Sequence, residues 1–166
     1  VVETALLADR QTTEFSKNKM ISTFAFDPIK FRRQLKELKP KKGLLQISKG
    51  IDWKYDTFYN VLISGNVGTG KSYTMFAIIG QLLQVTKFVY IIDPKRSDLA
   101  GLKHVPELKN NVFSVASEIN QAVIDFYTKM MARAEKIEAI KVSGQVGTYK
   151  DFGFAPYFLV FDEFGA

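Results

Sequence analysis

Residues 65–72 read Gly-Asn-Val-Gly-Thr-Gly-Lys-Ser, a full match to the pattern G-x-x-x-x-G-K-[ST]. Each residue type has a chemical reason for its place. Glycines let successive backbone N–H groups turn inward around phosphate oxygens, and a helix opening directly after the loop adds its positive end. Lys71 can reach the β- and γ-phosphates of a nucleotide as a mobile cation, and the Ser72 hydroxyl suits Mg²⁺. The candidate nucleotide contacts are therefore Gly65, Asn66, Val67, Gly68, Thr69, Gly70, Lys71, Ser72 and the adjoining Tyr73.

A second stretch, Phe158-Leu159-Val160-Phe161-Asp162-Glu163, runs from four apolar residues into two acids. Asp162 is suited to hold Mg²⁺ through a water, and Glu163, one step beyond, to orient or deprotonate an attacking water. Kinases of small molecules have no need of such a base, because their acceptor is not water. Hydrolysis is therefore favoured over transfer to a metabolite, with Glu163 and Lys71 as the catalytic candidates. An acidic turn after an edge strand is the plainer alternative, and the matching loop upstream argues against it.

These residues need a scaffold. Asn60 to Ser64 (NVLIS) reads as a strand feeding the loop, and 71–85 as a helix apolar on most sides, hence buried. Lys87 to Ile92 (KFVYII) reads as a second buried strand, stopped by Asp93-Pro94. Ser117 to Lys141 is a long helix whose apolar stripe is Ile119, Val123, Phe126, Met130, Ala134 and Ile137. Gly144 and Gly147 end it, and Pro156 precedes the last strand, 157–161. Strands that are almost wholly apolar, alternating with helices, predict an α/β fold with a mostly parallel sheet covered on both faces. Val142-Ser143-Gly144-Gln145 faintly echoes a transporter-ATPase signature but lacks a glycine, and reads as a helix terminator.

Upstream, Asp27-Pro28 reads as a helix start, with Phe31, Leu35 and Leu38 at helical spacing, and Pro40 as its end. A strand over Leu44 to Ile47 follows. The division expected is a basic N-terminal segment over 1–42 and a nucleotide-binding core over 43–166. Of the net charge of +6, all lies in residues 1–50, which hold 11 Lys/Arg against 5 Asp/Glu; the remainder is balanced at 12 against 12. A stripe including Lys30, Arg32, Arg33 and Lys36 could track a phosphate backbone, although a solvated helix face is its commoner use.

Composition narrows the rest. At 166 residues and 46% hydrophobic content, one globular domain with a sizeable core is expected. The apolar stretches are too short or interrupted to span a bilayer, and Glu3, Asp9 and Arg10 break any signal-peptide pattern. The absence of cysteine excludes disulfides and thiolate–zinc sites and fits a reducing, cytoplasmic setting. A lone histidine, His104, argues against a histidine metal cluster or a Ser-His-Asp triad.

LISGNVGTGKSYT (62–74), IIDPKRSDLAGL (91–102) and FLVFDEF (158–164) together resemble the motor domain of the FtsK/SpoIIIE family of DNA translocases, in order and in spacing. KMMARAEKI (129–137) is similar to the family's Met/Arg segment. The resemblance covers roughly residues 45–166, and within the family it looks more like the coupling ATPases of Gram-positive conjugative elements. It implies a P-loop NTPase fold of the RecA-like, additional-strand class, a homo-hexameric ring, ATP-driven movement along double-stranded DNA, and a membrane anchor outside this chain. It also implies that Lys71 and Ser72 hold nucleotide and Mg²⁺, Asp162 the metal, and that Glu163 is the base. Lys95 and Arg96 match the family's Pro-Lys-Arg segment, but as residues alone they could be surface charges. Tyr59-Asn60 stand where many members have Pro-His. An ATP-dependent assembly or scaffold module is the alternative. In the additional-strand class a further strand lies between the loop strand and the acid strand and follows the acids in sequence. The expectation is thus a core truncated after Glu163, hydrolysing ATP poorly alone.

Overall fold

The computed structural model describes residues 9–16, 19–25, 37–48, 50–66 and 68–163. The helix expected from Asp27 to Leu38 falls almost wholly outside them. Two antiparallel pairs come first. β1 (Asp9–Ser16) pairs with β2 (Lys19–Ala25), with a register shift between Arg10 and Thr12, and β3 (Leu45–Ser48) pairs with β4 (Ile51–Trp53). The first hairpin was not among the elements expected, although the sequence carries its signal: the β-branched and aromatic stretches TTEF and KMISTF lie close together in the chain.

The rest of the chain builds the parallel sheet and its helices. In order these are α1 (Lys71–Val85), β5 (Val89–Ile92), two 3₁₀ turns (Leu99–His104 and Pro106–Leu108), β6 (Val112–Phe113), α2 (Ala116–Val142) and β7 (Phe158–Phe161). The sheet has the order β6-β5-β7 and both pairings are parallel. β5 is the middle strand, and all four of its residues are buried, which is why it reads VYII with no polar alternation.

Alternation along β5 separates two faces. Val89 and Ile91 enter the core with Ile78, Ile79 and Leu82 of α1, together with Leu45, Tyr55, Leu99 and Leu108. Tyr90 points the other way and meets Phe126 of α2 edge to face, with ring centroids 5.4 Å apart. The two helices therefore cover opposite faces of the sheet, as the apolar strands require. Beside the core, Tyr55 packs edge-on against Trp53 and Phe158, which ties the β3–β4 hairpin to the first residue of β7. Full burial of each such aliphatic side chain contributes roughly 1.5–3 kcal/mol.

Two expectations need correction. Residues 60–64 form no strand: they pair with nothing in a ladder, and Leu62 is 86% exposed while Ile63 alone packs inward. An apolar run becomes a strand only when a neighbouring strand accepts its hydrogen bonds, and none stands beside it among the described residues. The inward stripe of α2 is also partly displaced. Ile119, Phe126 and Ile137 are half-buried as expected, whereas Val123, Met130 and Ala134 are exposed, and Ala122 and Arg133 turn inward instead. Arg133 stacks its guanidinium 3.7 Å from the Tyr157 ring centroid and donates to the Ala155 carbonyl. Long arginine side chains can cover apolar surface in this way, which a hydrophobic-periodicity reading does not register.

Candidate functional site

The glycine loop is shaped by its backbone. Gly68 and Gly70 have φ of 82° and 92°, a region that side-chain-bearing residues rarely occupy. Gly70 is the residue preceding α1, and it leaves that helix with neither a side-chain cap nor an acid in its first turn. The leading N–H groups and the positive end of the helix dipole are thus unopposed, an arrangement suited to an anion. Thr69 folds the loop on itself, donating through its N–H (3.3 Å) and its hydroxyl (2.8 Å) to the Asn66 carbonyl. The Lys71 ammonium curls back onto the Gly65 carbonyl. That is a bond an incoming phosphate can replace.

Ser72 is half-buried in the first turn of α1, and among the described residues its hydroxyl has no hydrogen-bond partner. Tyr73 is 81% exposed and faces solvent. Val67 lies outside the described residues.

The two acids stand at the end of β7. The register pairs Ile92 with Phe161, so Asp93 and Asp162 are the next residues of adjacent parallel strands. The Asp162 N–H donates to the Ile92 carbonyl at 2.9 Å, carrying the ladder one residue past β7. Glu163 follows in a left-handed conformation, φ 53°, which turns the chain away from the sheet. Its carboxylate pairs with the Lys95 ammonium.

Three residues around these acids were not singled out for the chemistry by sequence reasoning, or were left undecided. Asp93, taken only as a strand terminator, is 0% exposed, and its carboxylate accepts the Ala100 N–H at 2.9 Å. The Ser97 hydroxyl donates to Asp162 Oδ2 at 2.8 Å and lies 3.2 Å from both carboxylate oxygens of Asp93. Lys95, left open as a surface charge, is the partner of Glu163. The usable signal was an acid directly after an all-apolar strand, with a hydroxyl four residues on. Among the described residues no hydrogen bond or ion pair links the glycine loop to Asp162 or Glu163, so the loop and the acids form two separate clusters.

A model of the FtsK/SpoIIIE family matches residues 6–164, nearly the whole chain. The chain belongs to the FtsK/SpoIIIE family. This is a family of P-loop NTPases, and the glycine loop opening α1 beside a parallel sheet accords with it. The chain is 28% identical over 165 residues to the Ftsk domain-containing protein YdcQ of Bacillus subtilis (strain 168), covering 99% of this chain and 34% of YdcQ. It is 30% identical over 84 residues to the DNA translocase FtsK of Chlamydia pneumoniae, covering 48% of this chain and 10% of that protein. The chain thus spans about a third of the first relative and a tenth of the second. No solved structure matches. Among the described residues, no helix is long and apolar enough to cross a membrane.

Proposed function

We propose that this FtsK/SpoIIIE-family chain binds and hydrolyses ATP with Mg²⁺ as part of a motor that moves double-stranded DNA, and that the setting is conjugative transfer. The observation that carries the reading is the uncapped N-terminus of α1 directly behind a complete Gly-Asn-Val-Gly-Thr-Gly-Lys-Ser loop. Residues 65–70 and the first N–H groups of α1 would cradle the phosphates, with Lys71 leaving the Gly65 carbonyl to meet them, and Tyr73 beside them at the loop's exit. Ser72, whose hydroxyl has no partner among the described residues, and Asp162 would hold the metal.

Among the described residues no cluster of three acids or histidines gathers. That suits Mg²⁺, which is commonly held by one or two protein groups together with substrate phosphates. The ion would supply charge neutralisation at the phosphates, while Glu163 accepts the proton of the attacking water. The assignment to the RecA-like, additional-strand class is supported by the sheet. β7 is the end strand of the order β6-β5-β7, and segment 60–64 leads into the loop outside any strand ladder. One more strand between them would satisfy both. A homo-hexamer, cytoplasmic placement and a tether to the membrane outside this chain belong to the same proposal and rest on family membership.

The test is the ATPase rate of the intact protein with and without duplex DNA, for wild type, Lys71→Ala and Glu163→Gln. Duplex DNA should raise the wild-type rate. Lys71→Ala should lose ATP binding, whereas Glu163→Gln should keep it and lose roughly 10²–10⁴-fold in rate, the usual contribution of a general base. Equal rates for wild type and Glu163→Gln would remove the base assignment, and hydrolysis indifferent to DNA would remove the translocase reading.

A further inference from the structure

We infer that Ser97 is a positioning residue for Asp162, so that the turn after β5 sets the metal-side carboxylate at the end of β7. The inference rests on the reading of Asp162 given above and extends it to a residue on another strand. Parallel register places Asp93 and Asp162 side by side, on strands spaced about 4.8 Å apart. Two carboxylates at that spacing repel, and each is left free to swing unless something fixes it. Asp93 is fixed: it is fully buried and accepts the Ala100 N–H at 2.9 Å. Asp162 is only half-buried, and among the described residues its side chain is held by one group, the Ser97 hydroxyl at 2.8 Å.

A hydroxyl has one proton to give. The shorter contact goes to Asp162, and the two contacts to Asp93 are longer at 3.2 Å each. Asp93 already has a backbone donor, so the Ser97 proton serves Asp162. Ser97 in turn is placed by a turn that is costly to make. Arg96 sits at φ 55°, left-handed for a residue that is not glycine, and its N–H closes onto the Asp93 carbonyl at 3.2 Å. Backbone strain of this kind persists where the surroundings hold it in place, and it gathers at sites with a task. Groups that orient a metal ligand from behind tune the affinity for the ion without touching it.

The experiment measures Mn²⁺ binding to the intact protein with ADP bound, by electron paramagnetic resonance, alongside ADP affinity without metal. Ser97→Ala should weaken Mn²⁺ binding about tenfold, at the lower end for residues that orient metal ligands, and leave metal-free ADP affinity unchanged. Ser97→Thr, which keeps the hydroxyl, should restore binding to within about twofold of wild type. Asp162→Asn separates the two levels of the argument. If it weakens Mn²⁺ binding and Ser97→Ala does not, the positioning role is overturned and the Asp162 reading stands. If Asp162→Asn itself changes nothing, the Asp162 reading falls and takes the positioning role with it. Equal weakening by Ser97→Ala and Ser97→Thr would assign the effect to the shape of the turn, against the hydroxyl.

Discussion

The Lys95 ammonium and the Glu163 carboxylate form an ion pair between the turn after β5 and the residue two places beyond β7. Each partner sits in an otherwise solvent-facing stretch, and both side chains are about half exposed. A pair in that setting contributes at most about 1 kcal/mol. If Glu163 is the base, it must leave Lys95 before it can take a proton from water. Lys95→Ala should therefore raise the basal ATPase rate of the intact protein, by no more than about fivefold. Stability should stay within about 0.5 kcal/mol of wild type. Added salt should bring the two rates together, since it screens the pair. A Lys95→Ala rate well below wild type would instead make Lys95 a group the reaction needs.

Gln81 provides a prediction about the fold. It lies on α1, 1% exposed, and its amide reads the backbone of Gln46 in β3 as a neighbouring strand would. Its oxygen accepts the Gln46 N–H at 2.9 Å, and its nitrogen donates to the Gln46 carbonyl at 2.8 Å. Gln81→Met keeps the volume and deprives both backbone groups of their partner, at roughly 2–4 kcal/mol in all. The exposed Gln84, changed to Met in parallel, should move stability by less than about 0.5 kcal/mol. The check is urea denaturation of the three proteins. Equal midpoints would mean that water reaches Gln46 once the amide is gone.

Gln81 also shows where the sequence stops being readable. α1 was legible because Met75, Phe76, Ile78, Ile79, Leu82 and Leu83 crowd it with apolar side chains, and a glutamine among them reads as the polar exception facing water. It faces β3 instead, for a reason that exists only once β3 stands next to the helix. The glycine loop was legible as a candidate because its residues are consecutive and the phosphate cradle proposed for it would reside in backbone shape. The cluster of Asp93, Ser97 and Asp162 was not, because 65 residues separate Ser97 from Asp162 and parallel pairing alone brings them together. Segment 60–64 erred in the other direction: NVLIS has strand composition, but strand formation depends on a partner that composition cannot report.

Arg133 anchors the approach to β7. Its guanidinium stacks on Tyr157, lies 5.5 Å from the Phe154 ring centroid and donates to the Ala155 carbonyl, so one side chain on α2 holds residues 154–157. Arg133→Ala should cost about 1–3 kcal/mol, from a partly desolvated cation–π contact together with a charge-assisted hydrogen bond. Arg133→Lys should recover less than half of that, since an ammonium cannot stack as a plane or fork to a carbonyl. Urea midpoints measure both. Full recovery by lysine would show that charge alone matters at this position.

Alkaline pH should expose the contact between Tyr149 and Asp56. The Tyr149 hydroxyl donates to Asp56 Oδ1, and Lys150 lies 3.4 Å from Oδ2 of the same carboxylate. Burial foremost, then the hydrogen bond to Asp56 and that residue's negative charge, raise the Tyr149 phenol above its ordinary value. Tyr55 is raised too, mainly by burial, with the Gly43 N–H acting in the opposite direction. A group raised on folding keeps its proton in the folded state after the unfolded chain has lost it. Its stabilisation is therefore complete below about pH 10, the ordinary tyrosine value, and declines as pH rises from there toward the folded-state value. The urea midpoint should fall steadily above pH 10. Tyr149→Phe should start lower, having lost the bond to Asp56, and then fall less steeply, with Tyr55 supplying part of the remaining slope. Parallel slopes for the two proteins would mean that Tyr149 ionises in the folded state as easily as in the unfolded one, and the contact with Asp56 would lose its role in tying residues 148–151 to the segment ahead of the glycine loop.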